Sequence, residues 1–271
     1  MLNTEKRNER TTHIDRMQTA DMLAVMQEEY VNAAKAVEPE LPAIAAAVDA
    51  ITERMRQGGR LFYMGCGTSG RLGVLDAAEC PPTYGVPHDL VIGIIAGGDG
   101  AIRRAVENAE DSFEAGERDL AAFAPTANDT VIGISVAGGA AYVRGALTLA
   151  KKQGALTVAL SCNAGCPIEN IADIAIHPDT GAEVVTGSTR MKAGSAHKMI
   201  LNMISTAVMV KLGHVYENMM INLRPTNVKL RDRMIRILCE ITALPYGDCE
   251  ALLEQNGFSL RRALTAFEEK N

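Results

Sequence analysis

Four short apolar runs, each followed by glycine or serine and then by a helical pattern, constrain the fold of this chain most strongly. They cover residues 60–64, 90–95, 130–136 and 156–160, and residues 174–176 are a candidate fifth strand. Strands that are apolar on both faces are typical of parallel sheets buried between two layers of helices. The pattern therefore predicts an α/β fold of three layers, in which helices cover both faces of a doubly wound parallel sheet.

Helical patterns flank this region on both sides. Two amphipathic helices are predicted before the first strand, near residues 20–37 and 44–55, and one long helix is predicted over residues 189–212. Three shorter patterns at residues 230–244, 249–255 and 260–267 then predict a small helical appendage at the C-terminus.

These patterns divide the chain into three segments. We expect an N-terminal helical segment at residues 1–58, a sheet domain at 59–225 and a three-helix appendage at 226–271. No low-complexity linker separates them, so the appendage is expected to dock on the sheet domain.

Composition excludes several classes of function. The 271 residues carry 27 Lys and Arg against 33 Asp and Glu, a net charge of −6, which removes the broad positive field that nonspecific nucleic-acid or anionic-membrane binding requires. The longest apolar runs fall well short of the ~20 residues that cross a bilayer, so we expect neither a membrane nor a nucleic acid as a partner. The first ten residues are polar and do not resemble a secretion signal, so we expect a cytoplasmic protein. The six cysteines and five histidines show no metal-ligand spacing, so reduced thiols, no metal and no cofactor are predicted.

A glycine-rich loop follows the first strand and opens a helix. It reads Gly65-Cys66-Gly67-Thr68-Ser69-Gly70-Arg71. The G-x-G-x-x-G spacing suggests a dinucleotide, but the acidic residue expected about 20 positions later is missing, which argues against a nicotinamide cofactor. Two hydroxyl groups beside free helix amides suit the phosphate of a sugar better. The remaining alternative is that Ser69 only caps the helix and the glycines only turn the chain.

Longer motifs add a family resemblance that runs from about residue 2 to the end. The chain closely resembles the N-acetylmuramic acid 6-phosphate etherases, members of the SIS (sugar isomerase) superfamily, in four segments: GCGTSGRLGVLDAAECPPTYG at residues 65–85, IAGG at 95–98, AVENAED at 105–111 and EVVTGSTRMKAG at 183–194. The resemblance implies a flavodoxin-like SIS domain that binds a phosphosugar. It also implies a cytoplasmic enzyme of cell-wall recycling that converts N-acetylmuramic acid 6-phosphate into N-acetylglucosamine 6-phosphate and D-lactate.

The implied reaction needs two acid/base groups. The lactyl oxygen lies on C3, β to the aldehyde of the open-chain sugar, so loss of the C2 proton and protonation of the leaving oxygen give an unsaturated aldehyde, to which water adds. By similarity, Glu79 protonates the departing lactate and Glu110 removes the C2 proton, with Asp111 as the competing candidate for the base. We expect apolar neighbours to raise the pKa of Glu79. Without the resemblance, each carboxylate would be read as a solvated helix-end group.

The resemblance also implies substrate contacts in two loops. From the glycine-rich loop it implies Gly67, Thr68, Ser69, Gly70 and Arg71, and from the turn before the long helix it implies Glu183, Ser188, Thr189, Arg190 and Lys192. Arg190 and Lys192 are cations that could hold the phosphate or the lactate carboxylate. The alternative for this last cluster is a helix cap with solvated cations.

The loop after the third strand departs from the family pattern. Related etherases usually read Ala-Ser-Gly-Arg-Thr-Pro-Tyr, whereas residues 136–142 read Val-Ala-Gly-Gly-Ala-Ala-Tyr. Two hydroxyls and a guanidinium are therefore absent, and the amides of Gly138 and Gly139 are expected to donate to the phosphate instead. Each lost neutral hydrogen bond costs on the order of 1 kcal/mol, or about fivefold in affinity.

Two other functions remain open. One is a phosphosugar-binding regulator without catalysis, resembling the glucokinase regulatory protein, although that protein resembles two tandem SIS domains and this chain has room for one. The other is an aldose–ketose phosphosugar isomerase, which has no need for the ECPPTYG segment. The etherase hypothesis is preferred, and the resemblance implies a homodimer whose pocket is completed by the neighbouring subunit.

Overall fold

The protein is described by a computed structural model covering residues 2–222 and 228–269. Its helices are α1 (Thr19–Lys35), α2 (Leu41–Arg56), α3 (Gly67–Tyr84), α4 (Gly100–Arg103), α5 (Phe113–Ala121), α6 (Ala141–Lys152), α7 (Lys192–Lys211), α8 (Val228–Thr242), α9 (Tyr246–Gln255) and α10 (Leu260–Glu268). Its strands are β1 (Leu61–Gly65), β2 (Val91–Ile95), β3 (Thr130–Ile134), β4 (Leu156–Leu160), β5 (Ile174–Ile176), β6 (Val215–Tyr216) and β7 (Met219–Met220). The predicted boundary at residue 225 lies outside the described residues.

The first five strands form one parallel sheet in the order β2-β1-β3-β4-β5. This is the flavodoxin-like order, in which the strand sequence reverses beside β1 and ligands bind beyond the carboxyl ends of the strands. The predicted fold class is confirmed, including the candidate fifth strand. The hairpin of β6 and β7 was not predicted, because two-residue strands leave too little periodicity to detect.

Alternate residues of β1 face the two helical layers. Phe62 and Met64 are fully buried in an apolar core that includes much of α6. Tyr63 points to the other face, where its hydroxyl donates to Asp76 of α3 at 2.9 Å. Asp76 also accepts from Asn202 of α7 at 2.6 Å. The period of two along the strand thus builds one apolar core and one hydrogen-bonded helix contact.

Residue contacts divide the chain into two compact units. The larger consists of Met1–Ala78 and Asp89–Val208, and the smaller of Glu79–His88 and Met209–Asn271. These units differ from the three predicted segments, because the N-terminal helices belong to the unit that holds the sheet and residues 79–88 join the C-terminal helices. In the smaller unit, α8, α9 and α10 bury a core of their own that includes Ile235, Leu238, Leu253 and Leu264.

Within residues 2–222 and 228–269, every helix is too short or too polar to cross a membrane.

Candidate active site

A cavity of about 540 Å³ lies in the larger unit, where the loops after β1 and β3 meet the turn that precedes α7. It is lined by Glu5, Cys66, Gly67, Thr68, Ser69, Glu110, Asp111, Ile134, Ser135, Val136, Ala137, Gly139, Ala140, Ala141, Thr189 and Gly194. The sequence-predicted residues Gly67, Thr68, Ser69, Glu110, Gly139 and Thr189 are therefore brought together.

The glycine-rich loop turns directly from β1 into α3. A Cβ on Gly70 would stand 2.6 Å from the carbonyl oxygen of Gly65, so the first turn of the helix packs against the end of the strand only because this position has no side chain. The N–H groups of Gly67, Thr68 and Ser69 have no acceptor within the helix, whereas that of Gly70 donates to the carbonyl of Cys66 at 3.2 Å and is already engaged. Together with the hydroxyls of Thr68 and Ser69 the free N–H groups form a donor-rich end of the cavity that suits an anion.

The loop after β3 lines the opposite side with small residues. Gly138 has a φ of 72° and donates its N–H to the carbonyl of Ser135 at 2.9 Å. That amide is already engaged, so the expectation that it donates to a phosphate is not met. Gly139 does line the cavity, and a Cβ at this position would meet no atom within 4 Å.

Two carboxylates reach the cavity from a short 3-10 turn at Ala109–Asp111. Both Glu110 and Asp111 are exposed and both line the cavity. Burial raises the pKa of the neighbouring Cys66 thiol to about 12, and the charges of Glu110 and Asp111 contribute to the increase. Cys66 is therefore a neutral thiol at physiological pH, while the two carboxylates supply negative charge.

Glu79 is not among the residues that line this cavity. It lies on α3, which continues through Pro81 and Pro82 to Tyr84, and its side chain is exposed instead of being held against apolar neighbours as expected. Glu79 belongs to the smaller unit, whereas every residue that lines the cavity belongs to the larger one. One chain alone does not place both predicted catalytic glutamates on the lining of the cavity.

Arg71 points away from the predicted ligand position. Its Nε donates to the carbonyl of Ile102 at 2.9 Å and its Nη2 to that of Ala101 at 2.8 Å. The guanidinium therefore holds α4 through two of its carbonyls. Arg71 also lines a smaller cavity of about 150 Å³, which Glu110 lines as well.

Glu183 caps α7. The fully buried carboxylate accepts the backbone N–H of Lys192 at 2.9 Å and that of Ala193 at 3.0 Å. Burial raises the pKa of Glu183, although these hydrogen bonds oppose the increase. Its carboxylate is thus occupied by the helix end, which is the capping alternative considered from the sequence.

Lys192 is also occupied within the chain. Its Nζ donates to the carboxylate of Glu29 on α1 and to the carbonyl of Ala182 at 2.8 Å, and both charged side chains are buried. Burial alone would raise the pKa of Glu29, but the hydrogen bond from Lys192 helps to leave that pKa lowered. The cation therefore neutralises a buried carboxylate instead of facing the cavity.

The other residues before α7 lie at the edge of the cavity. Thr189 lines it, and Ser188 is half-buried. Arg190 is exposed and makes no hydrogen bond or ion pair with the residues that the structure describes. Arg190 thus remains available for an anion, whereas Lys192 does not.

The charge of the cavity is its least expected property. Its described lining contains the carboxylates of Glu5, Glu110 and Asp111 and no Lys, Arg or His. No three His, Cys, Asp or Glu side chains in the described ranges converge to hold a metal ion. An anionic ligand here would depend on amides and hydroxyls for its binding.

Sequence reasoning missed Glu5 and Gly194 as lining residues. The family resemblance extends to about residue 2, but nothing in the local sequence shows that the N-terminal segment reaches the sheet. A hydrogen bond between Asn163 and Thr4, which are 159 positions apart, holds the N-terminal segment there, and no local pattern could have predicted it.

Comparison with known proteins shows similarity over almost the whole chain. The N-acetylmuramic acid 6-phosphate etherase of Salmonella choleraesuis is 50% identical over 261 residues, 96% of this chain and 88% of that protein. The protein of that name from Caldanaerobacter subterraneus subsp. tengcongensis is 52% identical over 261 residues, 96% of this chain and 85% of that protein. A family model described as the glucokinase regulatory protein N-terminal SIS domain matches residues 43–151.

A solved structure supports the fold independently. The phosphoheptose isomerase from Francisella tularensis aligns with a TM-score of 0.57 and 20% sequence identity, covering 71% of this chain and 98% of that chain. At this level of identity the similarity shows the fold alone. Because the alignment covers 98% of that chain, the similarity includes the helices as well as the order of the strands.

Proposed function

Because this chain belongs to the N-acetylmuramic acid 6-phosphate etherase family, we propose that it cleaves the D-lactyl ether of N-acetylmuramic acid 6-phosphate. The products are N-acetylglucosamine 6-phosphate and D-lactate, which makes the protein a carbon–oxygen lyase of cell-wall amino sugar recycling. Identity of 50% over 96% of the chain carries this proposal. As part of this proposal the enzyme acts in the cytoplasm, where a charged sugar phosphate is retained because it does not cross a bilayer unaided.

The reaction is an elimination followed by a hydration. A base removes the proton from C2 of the open-chain sugar, the C3–O bond to lactate breaks, and an acid protonates the departing oxygen. The resulting 2,3-unsaturated aldehyde then takes up one water, whose hydroxyl bonds to C3 and whose proton goes to C2. Water is consumed and no electrons are gained or lost overall, so the protein has to supply proton transfer and positioning.

The phosphate binds at the donor-rich end of the cavity. The first-turn amides of α3 and the hydroxyls of Thr68 and Ser69 supply hydrogen bonds there, and the amide end of the helix attracts negative charge. Ser135, Ala137 and residues 139–141 face the same space. This arrangement supports a sugar phosphate without requiring a cation from the lining.

Glu110 serves as the base at C2. It lines the cavity, is exposed and lies in a short turn, so it can approach a sugar held by its phosphate. Asp111 lines the same cavity and is the alternative base. Both residues therefore belong in the test.

Glu79 serves as the acid in the cavity of a second copy of the chain. The spacing of Leu72, Leu75 and Glu79 on α3 puts all three on one face of the helix, and Leu75 is 49% exposed. A single exposed leucine is ordinary on a protein surface, so the proposal that this face meets a second copy rests on the similarity to the etherases. A symmetric homodimer would use this face twice and bring each Glu79 to a partner's Glu110.

A second candidate function is phosphosugar binding without catalysis. The match of residues 43–151 to the glucokinase regulatory protein SIS domain favours it. Such a regulator would need the donor-rich end of the cavity but not the glutamates. Lactate release separates the two functions.

The experiment incubates the purified protein with N-acetylmuramic acid 6-phosphate and measures D-lactate. We expect release by the wild type and a loss of about 100-fold or more in kcat for Glu79→Gln and for either Glu110→Gln or Asp111→Asn. Glu114→Gln, at an exposed position of α5, is the matched control and should retain activity. Sugar-phosphate binding without lactate release by the wild type would instead support the regulator.

A further inference from the structure

The N-terminal segment, residues 2–16, contributes one carboxylate to the cavity that the proposed reaction does not use. Glu5 lines the cavity together with Thr68, Glu110 and Thr189. Its Oε2 lies 4.0 Å from the position that a Cβ on Gly187 would occupy, so it borders the turn before α7.

Hydrogen bonds fix the chain immediately before Glu5. Thr4 is fully buried, and its hydroxyl accepts from Nδ2 of Asn163 at 3.1 Å. The same Nδ2 donates to the carbonyl of Val136, a lining residue, at 2.9 Å, and Oδ1 of Asn163 accepts the backbone N–H of Asn3 at 3.1 Å. One buried amide side chain therefore ties the N-terminal segment to the wall of the cavity.

A second set of contacts fixes the segment after Glu5. Thr11 donates from its hydroxyl to the carbonyl of Val184 at 2.8 Å. Nη1 of Arg10 donates at 2.9 Å to Glu29, the buried carboxylate that also pairs with Lys192. Glu5 is thus held between two anchored stretches, and its position on the cavity is a consequence of the fold.

The carboxylate of Glu5 itself has no partner. Among the residues that the structure describes, it makes no hydrogen bond or ion pair. Its neighbours Thr4, Arg10 and Thr11 all use their side chains to hold the segment. A carboxylate that is carried by an anchored segment but contributes no anchoring contact is available to a ligand.

We propose that Glu5 is a substrate-binding residue that accepts hydrogen bonds from the hydroxyl or amide N–H groups of the sugar. The inference rests on the proposed function and adds a specificity-determining contact to it. A phosphate repels a carboxylate, so Glu5 acts on the neutral, donor-bearing part of the sugar while the amides of α3 hold the phosphate. It leaves proton transfer to the two acid/base groups already assigned.

The test separates binding of the sugar from binding of phosphate. Glu5→Ala and Glu5→Gln are compared with the wild type in calorimetric titrations with N-acetylglucosamine 6-phosphate and with inorganic phosphate. We expect the affinity of Glu5→Ala for the sugar phosphate to fall by about 10- to 100-fold, since a hydrogen bond to a charged group is lost. Affinity for inorganic phosphate should be unchanged or higher, because a negative charge has been removed.

Glu9→Gln is the matched control, as it changes an exposed glutamate of the same segment that does not line the cavity. The unfolding temperature of each variant shows whether the segment stays anchored. Sugar-phosphate affinity within twofold of the wild type in Glu5→Ala would overturn the inference, as would an equal loss of affinity for inorganic phosphate. Absence of lactate release by the wild type would count against the proposed function and would leave this binding comparison standing.

Discussion

Cys166 packs so tightly against Gly138 that a Cβ on this glycine would stand 2.1 Å from its Sγ. Gly138 also has a φ of 72°, a conformation that side chains disfavour. We therefore expect Gly138→Ala to lower the free energy of unfolding by about 1–3 kcal/mol, measured by urea titration. Gly139→Ala is the control, because nothing lies within 4 Å of its added Cβ. Equal losses in both variants would show that the contact with Cys166 is unimportant.

Gly139 offers a place for the cation that the cavity lacks. Gly139 lines the cavity, and a Cβ added there would meet no atom within 4 Å. Gly139→Arg should lower KM for the sugar phosphate by about tenfold, because a guanidinium adds a charge-assisted hydrogen bond to the phosphate. Steady-state lactate release measures this, with Gly139→Gln as a neutral control of similar reach. If Gly139→Arg does not lower KM relative to Gly139→Gln, the phosphate binds elsewhere.

The cap on α7 predicts a role for Glu183 in stability. Replacing it with alanine leaves the N–H groups of Lys192 and Ala193 without their buried acceptor. The expected loss is about 2–4 kcal/mol of unfolding free energy, measured in denaturant. Asp15→Ala, at an exposed carboxylate, should change stability by less than about 0.5 kcal/mol. A Glu183→Ala protein as stable as the wild type would contradict the capping role.

His197 predicts a specific dependence of stability on pH. Burial lowers its pKa to about 4, and its Nε2 lies 3.0 Å from the carbonyl oxygen of Ser161. The imidazole takes up a proton near pH 6.5 in the unfolded chain but stays neutral in the folded chain. The free energy of unfolding is therefore highest above pH 6.5 and falls as the pH drops toward 4.

Between pH 7 and pH 5 this histidine should cost about 2 kcal/mol of unfolding free energy. His197→Gln keeps a hydrogen-bond donor for Ser161 and does not titrate, so its stability should vary less with pH by that amount. Urea titrations of both proteins at the two pH values make the comparison. Identical pH dependence in the two proteins would rule out His197 as the cause.

A cavity shared between two copies of the chain predicts complementation. Glu79→Gln and Glu110→Gln should each be inactive alone, whereas a refolded equimolar mixture should recover about a quarter of wild-type lactate release. Half of the dimers are then mixed, and one of the two sites in each mixed dimer has both glutamates. No recovery, with mixed dimers demonstrated by differential tagging, would refute the sharing of Glu79.

Local patterns predicted the sheet and part of the cavity. Apolar runs define β1 to β5 because a strand buried on both faces needs apolar residues at every position, whatever its partners. The loops that follow parallel strands open at the same edge, which is why Thr68 and Ser69 line the cavity. Glu110 lines it too, but it follows α4 instead of a strand, and only the family resemblance pointed to it.

The sequence by itself therefore determined the strands, their parallel pairing and the glycine-rich turn, since these follow from the burial and conformation of neighbouring residues. Only the tertiary structure decided which polar groups are free. Lys192 is neutralised by Glu29, which lies 163 positions away, whereas Glu5 lines the cavity without a partner of its own. Burial makes pairing of a charge necessary, but which residue supplies the partner depends on how distant helices pack, and a local pattern carries no record of that.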